Sequence, residues 1–223
     1  MDKPIMNKLL VNVPNADPIE VISYYECFKD YYPNCEMETK QWFMNNIKDD
    51  WVILDCGANI GYFTILFSRL APHGKVHAFE PTTASGMLLC NLVHNKVDNV
   101  IVLNNALGSE KGMRKDEIFR IWGQPPEKLL YPFTTIDEYT KHMSRVDLIK
   151  IDVDSFDLEV MMGAVKALDK FDPYVVVEVN DGALNKRGYN ADHFLEFIRS
   201  LGYRTDTFLD KENLLLLPRN KIS

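Results

Sequence analysis

The chain has 223 residues, 46% of them hydrophobic, enough for one substantial domain with a well-buried core. A formal charge of −7 argues against nucleic acid or an anionic membrane surface as the main partner, because phosphate affinity comes from clustered Lys and Arg. Cys27, Cys35, Cys56 and Cys90 contain no Cys-x-x-Cys pair, so free thiols in a reducing compartment are expected rather than disulfides or zinc. With no N-terminal apolar signal segment and no run of about 18 apolar residues, the sequence reads as a soluble cytoplasmic protein.

Residues 1–50 read as an N-terminal helical cap segment, irregular apart from two short helices around Pro18–Tyr31 and Glu38–Ile47. Tyr24, Tyr25, Phe28, Tyr31 and Tyr32 fall at helical spacing there, as residues that pack the cap or, alternatively, line an acceptor pocket. Residues 51–223 form the main part of a single-domain protein. Strand-like runs at Val52–Asp55, Lys75–Glu80, Val100–Asn104, Val146–Val153 and Tyr174–Val179 alternate with helical stretches at Ile60–Leu70, Thr82–Asn95 and Phe156–Phe171. That alternation predicts an α/β fold with a doubly wound, Rossmann-like parallel sheet. Met113–Phe133, with two adjacent prolines and weak periodicity, reads as a loop or irregular insertion. Helix Ala191–Leu201 then precedes a C-terminal antiparallel hairpin, Tyr203–Leu209 with Leu214–Pro218, that closes the sheet.

In such a sheet ligands bind at the carboxyl ends of the strands, beside the topological switch point. Three predicted strand ends carry suitable chemistry. The first is Asp55-Cys-Gly-Ala-Asn-Ile-Gly61, a glycine-interrupted turn into a helix start. There backbone N–H groups are unpaired, and Gly57 and Gly61 are expected to leave room for a ligand against the backbone. Glu80 follows 19 residues after Gly61, placed to accept from both hydroxyls of a ribose. The third is Asn104-Asn105-Ala106, where an amide and backbone groups could read an adenine edge. An acid after the second strand also suits nicotinamide cofactors. Asn59 replaces the central glycine of that fingerprint and would crowd a pyrophosphate, while Asp55 suits a zwitterionic or cationic ligand. Both points, with the terminal hairpin, favour S-adenosylmethionine; a nicotinamide-dependent oxidoreductase and a turn without ligand are the alternatives.

Five segments resemble the FkbM-type methyltransferases, in that family's order. They are Val52-Ile-Leu-Asp-Cys-Gly-Ala-Asn-Ile-Gly-Tyr-Phe-Thr64, His77-Ala-Phe-Glu-Pro81, Asn105-Ala-Leu-Gly108, Thr134-Thr-Ile-Asp137 and Leu148-Ile-Lys-Ile-Asp-Val-Asp-Ser-Phe-Asp-Leu-Glu-Val160. The resemblance covers about residues 36 to 205. It implies a class I S-adenosylmethionine-dependent methyltransferase acting on a hydroxyl of a carbohydrate, glycolipid or related small molecule. A fold kept as a non-catalytic binding module is the alternative. On this resemblance Asp55, Gly57, Asn59, Gly61 and Tyr62 surround the methionine part of the donor, Glu80 the ribose, and Asn105 with Ala106 the adenine. Ala58, Pro81 and Asp152 join that cofactor set, and Glu38 resembles a position that could hold the cofactor's amino group. Where the family commonly reads Asp-Val-Glu-Gly, this chain has Asp152-Val-Asp154-Ser155.

Alternation along the Lys150–Asp154 run sends Asp152 and Asp154 to one side of the rim, and Glu178 ends the next strand. Asp152, Asp154 and Glu178 are the candidate catalytic residues, with Asp152 or Asp154 as a general base of raised pKa. The alternative is Mg2+ on Asp152, Glu178 and Asp181, lowering the pKa of the acceptor hydroxyl. Ser155 reads as the N-cap of the helix after it, and His142 and His193 are reserve candidates for a base. The partner is a small-molecule or saccharide acceptor, and self-association into a homo-oligomer is open.

Overall fold

The computed structural model describes residues 7–23, 32–119 and 125–221. Among them the chain starts with an antiparallel hairpin, β1 (Asn7–Val13) and β2 (Ala16–Ser23), followed by helix α1 (Met37–Asn46). Strands and helices then alternate as β3 (Val52–Cys56), α2 (Tyr62–Leu70), β4 (Lys75–Phe79), α3 (Ala84–His94) and β5 (Val100–Leu103). A small sheet of β6 (Ala106–Leu107), β7 (Gly112–Ile118) and β8 (Glu127–Thr134) comes next. Helix α4 (Ile136–Thr140) returns the chain to β9 (Leu148–Ile151), α5 (Asp157–Met162), α6 (Val165–Phe171) and β10 (Tyr174–Glu178). The last elements are α7 (Asp181–Asn185), α8 (Ala191–Ser200) and β11 (Asn213–Leu216).

The main sheet has the order β11-β10-β9-β3-β4-β5 and is parallel except for β11. The chain runs outward from β3 to β5, then comes back to lay β9 against the other side of β3. The switch point therefore lies between β3 and β9. Both faces of the sheet are covered, which is why its strands are nearly continuous apolar runs rather than alternating ones. Alternation sends Ile53, Leu148 and Val176 into a core with Phe43, Phe63 and Phe67. Leu54, Ile149 and Val175 go to the opposite core with Leu158, Met161 and Phe194.

The expected helical cap over 1–50 is corrected in part. Residues 18–23 of the expected Pro18–Tyr31 helix belong to β2, where Ile19 and Val21 are buried at alternate positions. The rest of that helix, with Tyr24, Tyr25, Phe28 and Tyr31, lies outside the described residues. The hairpin packs on the α2–α3 layer. Asn91, fully buried on α3, accepts from Ile22 N (2.6 Å) and donates to Ile22 O (3.0 Å) and Ile60 O (2.8 Å). Buried Lys40 on α1 donates to Asn12 O at 3.0 Å.

The expected loop over Met113–Phe133 is mostly the β7–β8 hairpin, with Arg114 opposite Tyr131 and Asp116 opposite Leu129. The expected Phe156–Phe171 helix breaks at Gly163, because α4 docks there: Asp137 N donates to Gly163 O (2.9 Å) and Asp137 Oδ1 accepts from Ala167 N (2.8 Å). In the C-terminal hairpin only the return arm joins the sheet. Its other arm contributes an isolated bridge, Phe208 to Leu214, and the bonds Leu209 N to Asn213 O (2.9 Å) and Leu215 N to Thr207 O (2.8 Å).

Candidate active site

A cavity of about 1050 Å3 opens at the carboxyl ends of β3, β4, β9 and β10, over the switch point. Its first wall is the turn after β3. Gly57 N and Ala58 N both donate to Phe79 O (3.0 and 2.9 Å), so the turn is stitched to the end of β4. Asn59, at φ 50°, donates its N–H to Glu80 Oε2 at 2.9 Å. Glu80 Oε1 takes Thr82 N (2.9 Å) and Thr82 Oγ1 (2.6 Å). Three of the roughly four acceptor sites of that carboxylate are thus occupied within the fold, leaving room for about one ligand hydroxyl rather than two. Burial, only partly offset by Thr82 and Asn59, pushes the Glu80 carboxyl up to about 7.

The glycines serve a different purpose from the one expected. A Cβ at Gly57 (φ 89°) would stand 1.8 Å from Asp152 O, and one at Gly61 (φ 92°) 2.5 Å from Leu88 Cδ1. Gly57 lets β3 and β9 approach, and Gly61 seats the start of α2 on α3. Asp55 also turns inward. It is fully buried beneath the turn, accepts from Thr64 Oγ1 at 2.5 Å, and does not line the cavity.

The opposite wall comes from β9, β10 and the segments after them. Lys150 is 2% exposed, yet its Nζ reaches the cavity and donates to Asp152 Oδ2 at 2.9 Å. Its ammonium lies 4.7 Å from the Phe63 ring centroid. Burial opposes the charge, but Asp152, Asp55 and Glu36 more than offset it, and the Lys150 pKa is raised. Asp154 has φ 60°, a left-handed conformation tolerated by Asp better than by most side chains. Its carboxylate opens on the cavity, and desolvation together with Asp152 pushes it up to about 6. Glu178 ends β10 among acids: burial, then Asp152, Asp157, Asp154 and Glu212, hold its carboxyl far above the usual range.

A third wall is the turn before β11. Asp210 accepts from Thr39 Oγ1 (2.6 Å), Asn213 Nδ2 donates to Glu36 Oε1 (2.8 Å), and Asn180 Nδ2 donates to Glu212 Oε1 (2.8 Å). Across from it Lys186 lies 4.0 Å from the Phe119 ring centroid, joining α7 to the end of β7. Behind that contact Arg187 grips Asp116 with two nitrogens (2.9 and 3.3 Å) and lies 3.4 Å from the Phe156 centroid.

Of the residues expected from sequence, Gly57, Ala58, Asn59, Tyr62, Glu80, Pro81, Asn105, Ala106, Asp152, Asp154 and Glu178 line this cavity. Asp55 and Gly61 support it from behind, and Glu38 is corrected: it is exposed on α1 and points elsewhere, while Glu36, two residues earlier at φ 47°, faces the cavity. Burial raises the Glu36 carboxyl despite Lys150 nearby. Asn104 is used in the scaffold, donating to Glu80 O at 2.8 Å. Asp181 does not join Asp152 and Glu178, since its Oδ1 caps Ala191 N at 2.6 Å. Among the described residues no three His, Cys, Asp or Glu gather as a metal-ligand group. Ser155 is not a helix cap: Phe156 is at the N-cap of α5, and Ser155 Oγ accepts from Arg187 Nε at 3.5 Å. Neither His142 nor His193 lines the cavity. The structural alternative for Asp152, a partner for Lys150, is the contact found, whereas Glu36 and the wall formed by the 210–213 turn escaped the sequence reading, the turn offering no signal.

Comparison with known proteins agrees with this fold. The profile of the Methyltransferase FkbM domain matches residues 55–205. No curated protein matches the chain. Among solved structures, a methyltransferase FkbM from Methylobacillus flagellatus KT aligns over 77% of this chain at 16% identity and a TM-score of 0.55. This chain spans only 44% of that protein's length. Precorrin-6y C5,15-methyltransferase from Geobacter metallireducens GS-15 aligns over 81% of this chain and 87% of its own, at 16% identity and TM-score 0.50. The fibrillarin pre-rRNA processing protein of Methanococcus jannaschii aligns over 76% and 66%, at 16% identity and TM-score 0.50. These likenesses establish the fold as that of the class I methyltransferases. With more than half of its residues matched by the family profile, the chain belongs to the FkbM methyltransferase family.

Proposed function

We propose that this protein is an S-adenosylmethionine-dependent O-methyltransferase acting on a hydroxyl of a carbohydrate, glycolipid or related small molecule. One observation carries the reading: a single cavity at the switch point has a wall of stitched backbone and ribose-type acid on one side and an unengaged carboxylate, Asp154, on the other. The residues present fit the donor. Glu80 retains about one acceptor site for a ribose hydroxyl, Asn105 and Ala106 flank the adenine position, and Glu36 is placed for the amino group. The net charge of −7 favours a small acceptor over RNA.

When bound, S-adenosylmethionine would supply an electrophilic methyl whose C–S bond breaks as the O–C bond forms, leaving S-adenosylhomocysteine, and the acceptor oxygen would lose its proton. Asp154 receives that proton. At pH 7 a carboxyl shifted to about 6 is mostly ionised yet basic enough to act, the compromise general-base catalysis requires. Glu178, protonated because it is buried and then because acids surround it, donates a hydrogen bond to the acceptor rather than removing a proton. Phe119 and Ile118 form an apolar side of the cavity that limits water around the reacting oxygen.

The first test is thermal unfolding with S-adenosylhomocysteine, NAD(H) and NADP(H). A rise in Tm with the first alone is expected; a rise only with a nicotinamide cofactor would overturn the reading. Labelled methyl donor and a panel of sugars, nucleotide-sugars and glycolipids would then name the acceptor.

A further inference from the structure

Lys150 occupies a position where the fold would accept an aliphatic residue. It sits in the register Asp55–Lys150–Val176 across β3, β9 and β10, one residue from Ile149 and Ile151 on either side, with 2% exposure. An unpaired ammonium there would be strongly destabilising. The surroundings compensate it from four elements. Asp152 accepts its hydrogen bond at 2.9 Å, Phe63 of α2 supports it at 4.7 Å, Asp55 of β3 lies beside it in register, and Glu36 approaches from the start of α1. The carboxylate it holds stands half-open at the cavity, 35% exposed on its side chain.

We propose that Lys150 is a positioning residue that fixes Asp152 as a carboxylate of single orientation at the cavity floor, so that Asp154 and Glu178 face a constant negative charge. The methyl-transfer role of that charge rests on the function proposed above; the pairing itself does not. Asp152 is faced by Lys150 on its own strand, Asp55 on β3, Glu36 before α1, Asp154 and Asp157 on the following turn and helix, and Glu178 on β10. Lys150 is the cation in hydrogen-bond contact with it. Asp152 in turn raises both Asp154 and Glu178. The lysine thus acts on the reaction through Asp152 without itself receiving the proton.

The test uses the full chain labelled with 13C at aspartate carboxyls, without donor or acceptor, and assigns Asp152 by its loss in Asp152→Asn. In Lys150→Met the Asp152 carboxyl resonance should move or broaden as the side chain loses the hydrogen bond that holds its single orientation, and in Lys150→Arg it should stay near its wild-type position. The Asp154 midpoint should fall in Asp152→Asn. Should Lys150→Met fail to fold, Lys150→Met/Asp152→Asn should recover folded protein, because it removes the stranded carboxylate with its partner. An Asp152 carboxyl resonance unchanged in Lys150→Met, or no recovery in the double variant, would overturn the proposal. Once an acceptor is in hand, Lys150→Met should lower kcat with little change in donor KM, and Lys150→Arg should restore part of it. An absence of methyl transfer to every acceptor would count against the proposed function, while the carboxyl spectra would still decide the pairing.

Discussion

The two sides of the switch point treat their polar groups in opposite ways. On the β3–β5 side, Asp55 holds Thr64, Glu80 holds Asn59 and Thr82, and Asn104 holds the Glu80 carbonyl. These groups build a scaffold and leave little over for a ligand. On the β9–β10 side, acids are packed against acids, and the carboxyl groups of Asp154 and Glu178 make no hydrogen bond or ion pair among the described residues. A finished scaffold suits recognition of one invariant donor. Crowded, unengaged carboxylates suit proton chemistry on an acceptor, at a cost in stability.

Substitutions can break this contrast from either side. The largest effect is expected for Asp154→Asn: methyl transfer should fall about 10²–10⁴-fold, with S-adenosylhomocysteine affinity unchanged by calorimetry. Next is Gly57→Ala, whose Cβ would press on Asp152 O at 1.8 Å in a positive-φ conformation. Denaturant unfolding should register a loss on the order of 3 kcal/mol.

The stability of the donor-free chain should also depend on pH. The Glu80 carboxyl is moved from an ordinary 4.5 to about 7 in the fold, so the folded state binds a proton that the unfolded state has released. The resulting stability is present below pH ~4.5 and lost as pH rises through ~7, about 3 kcal/mol in all. Asp154, moved from 3.8 to about 6, acts in the same direction. Denaturant midpoints measured from pH 5 to 8 should therefore fall; a rise would refute the buried-acid account. The smallest effect is expected for Arg187→Ala, which loosens the contact of α7 with β7 and Phe156. A loss of about 1–2 kcal/mol in thermal unfolding, with donor binding intact, would place that contact on the acceptor side.

The parallel sheet could be read from the sequence because strands buried on both faces leave uninterrupted apolar runs. Val52-Ile-Leu and Val175-Val-Val are such runs, and the acids and glycines that end β3 and β4 marked the cavity. The hairpins were harder. In β7, Gly-Met-Arg-Lys-Asp-Glu-Ile is mostly solvent-facing, so its pattern reflects charge pairing such as Arg114–Asp116 and Arg187–Asp116 rather than burial. In β2 the alternation of Ile19 and Val21 was outweighed by the aromatic residues that follow. The break at Gly163 depends on Asp137 arriving from a distant segment, and no local pattern contains it. Glu36 was missed for a similar reason. Its reach into the cavity comes from a left-handed residue before α1 and from Asn213, 177 positions away.

The central claim is that one side of the cavity binds the donor and the other performs the chemistry. Calorimetric titration of S-adenosylhomocysteine into the wild type, Glu80→Gln and Asp154→Asn/Glu178→Gln tests it most directly. The account predicts one-to-one binding to the wild type, affinity within about twofold in the acceptor-side variant, and a loss of roughly tenfold or more in Glu80→Gln. Binding that survives Glu80→Gln but is abolished in Asp154→Asn/Glu178→Gln would contradict it.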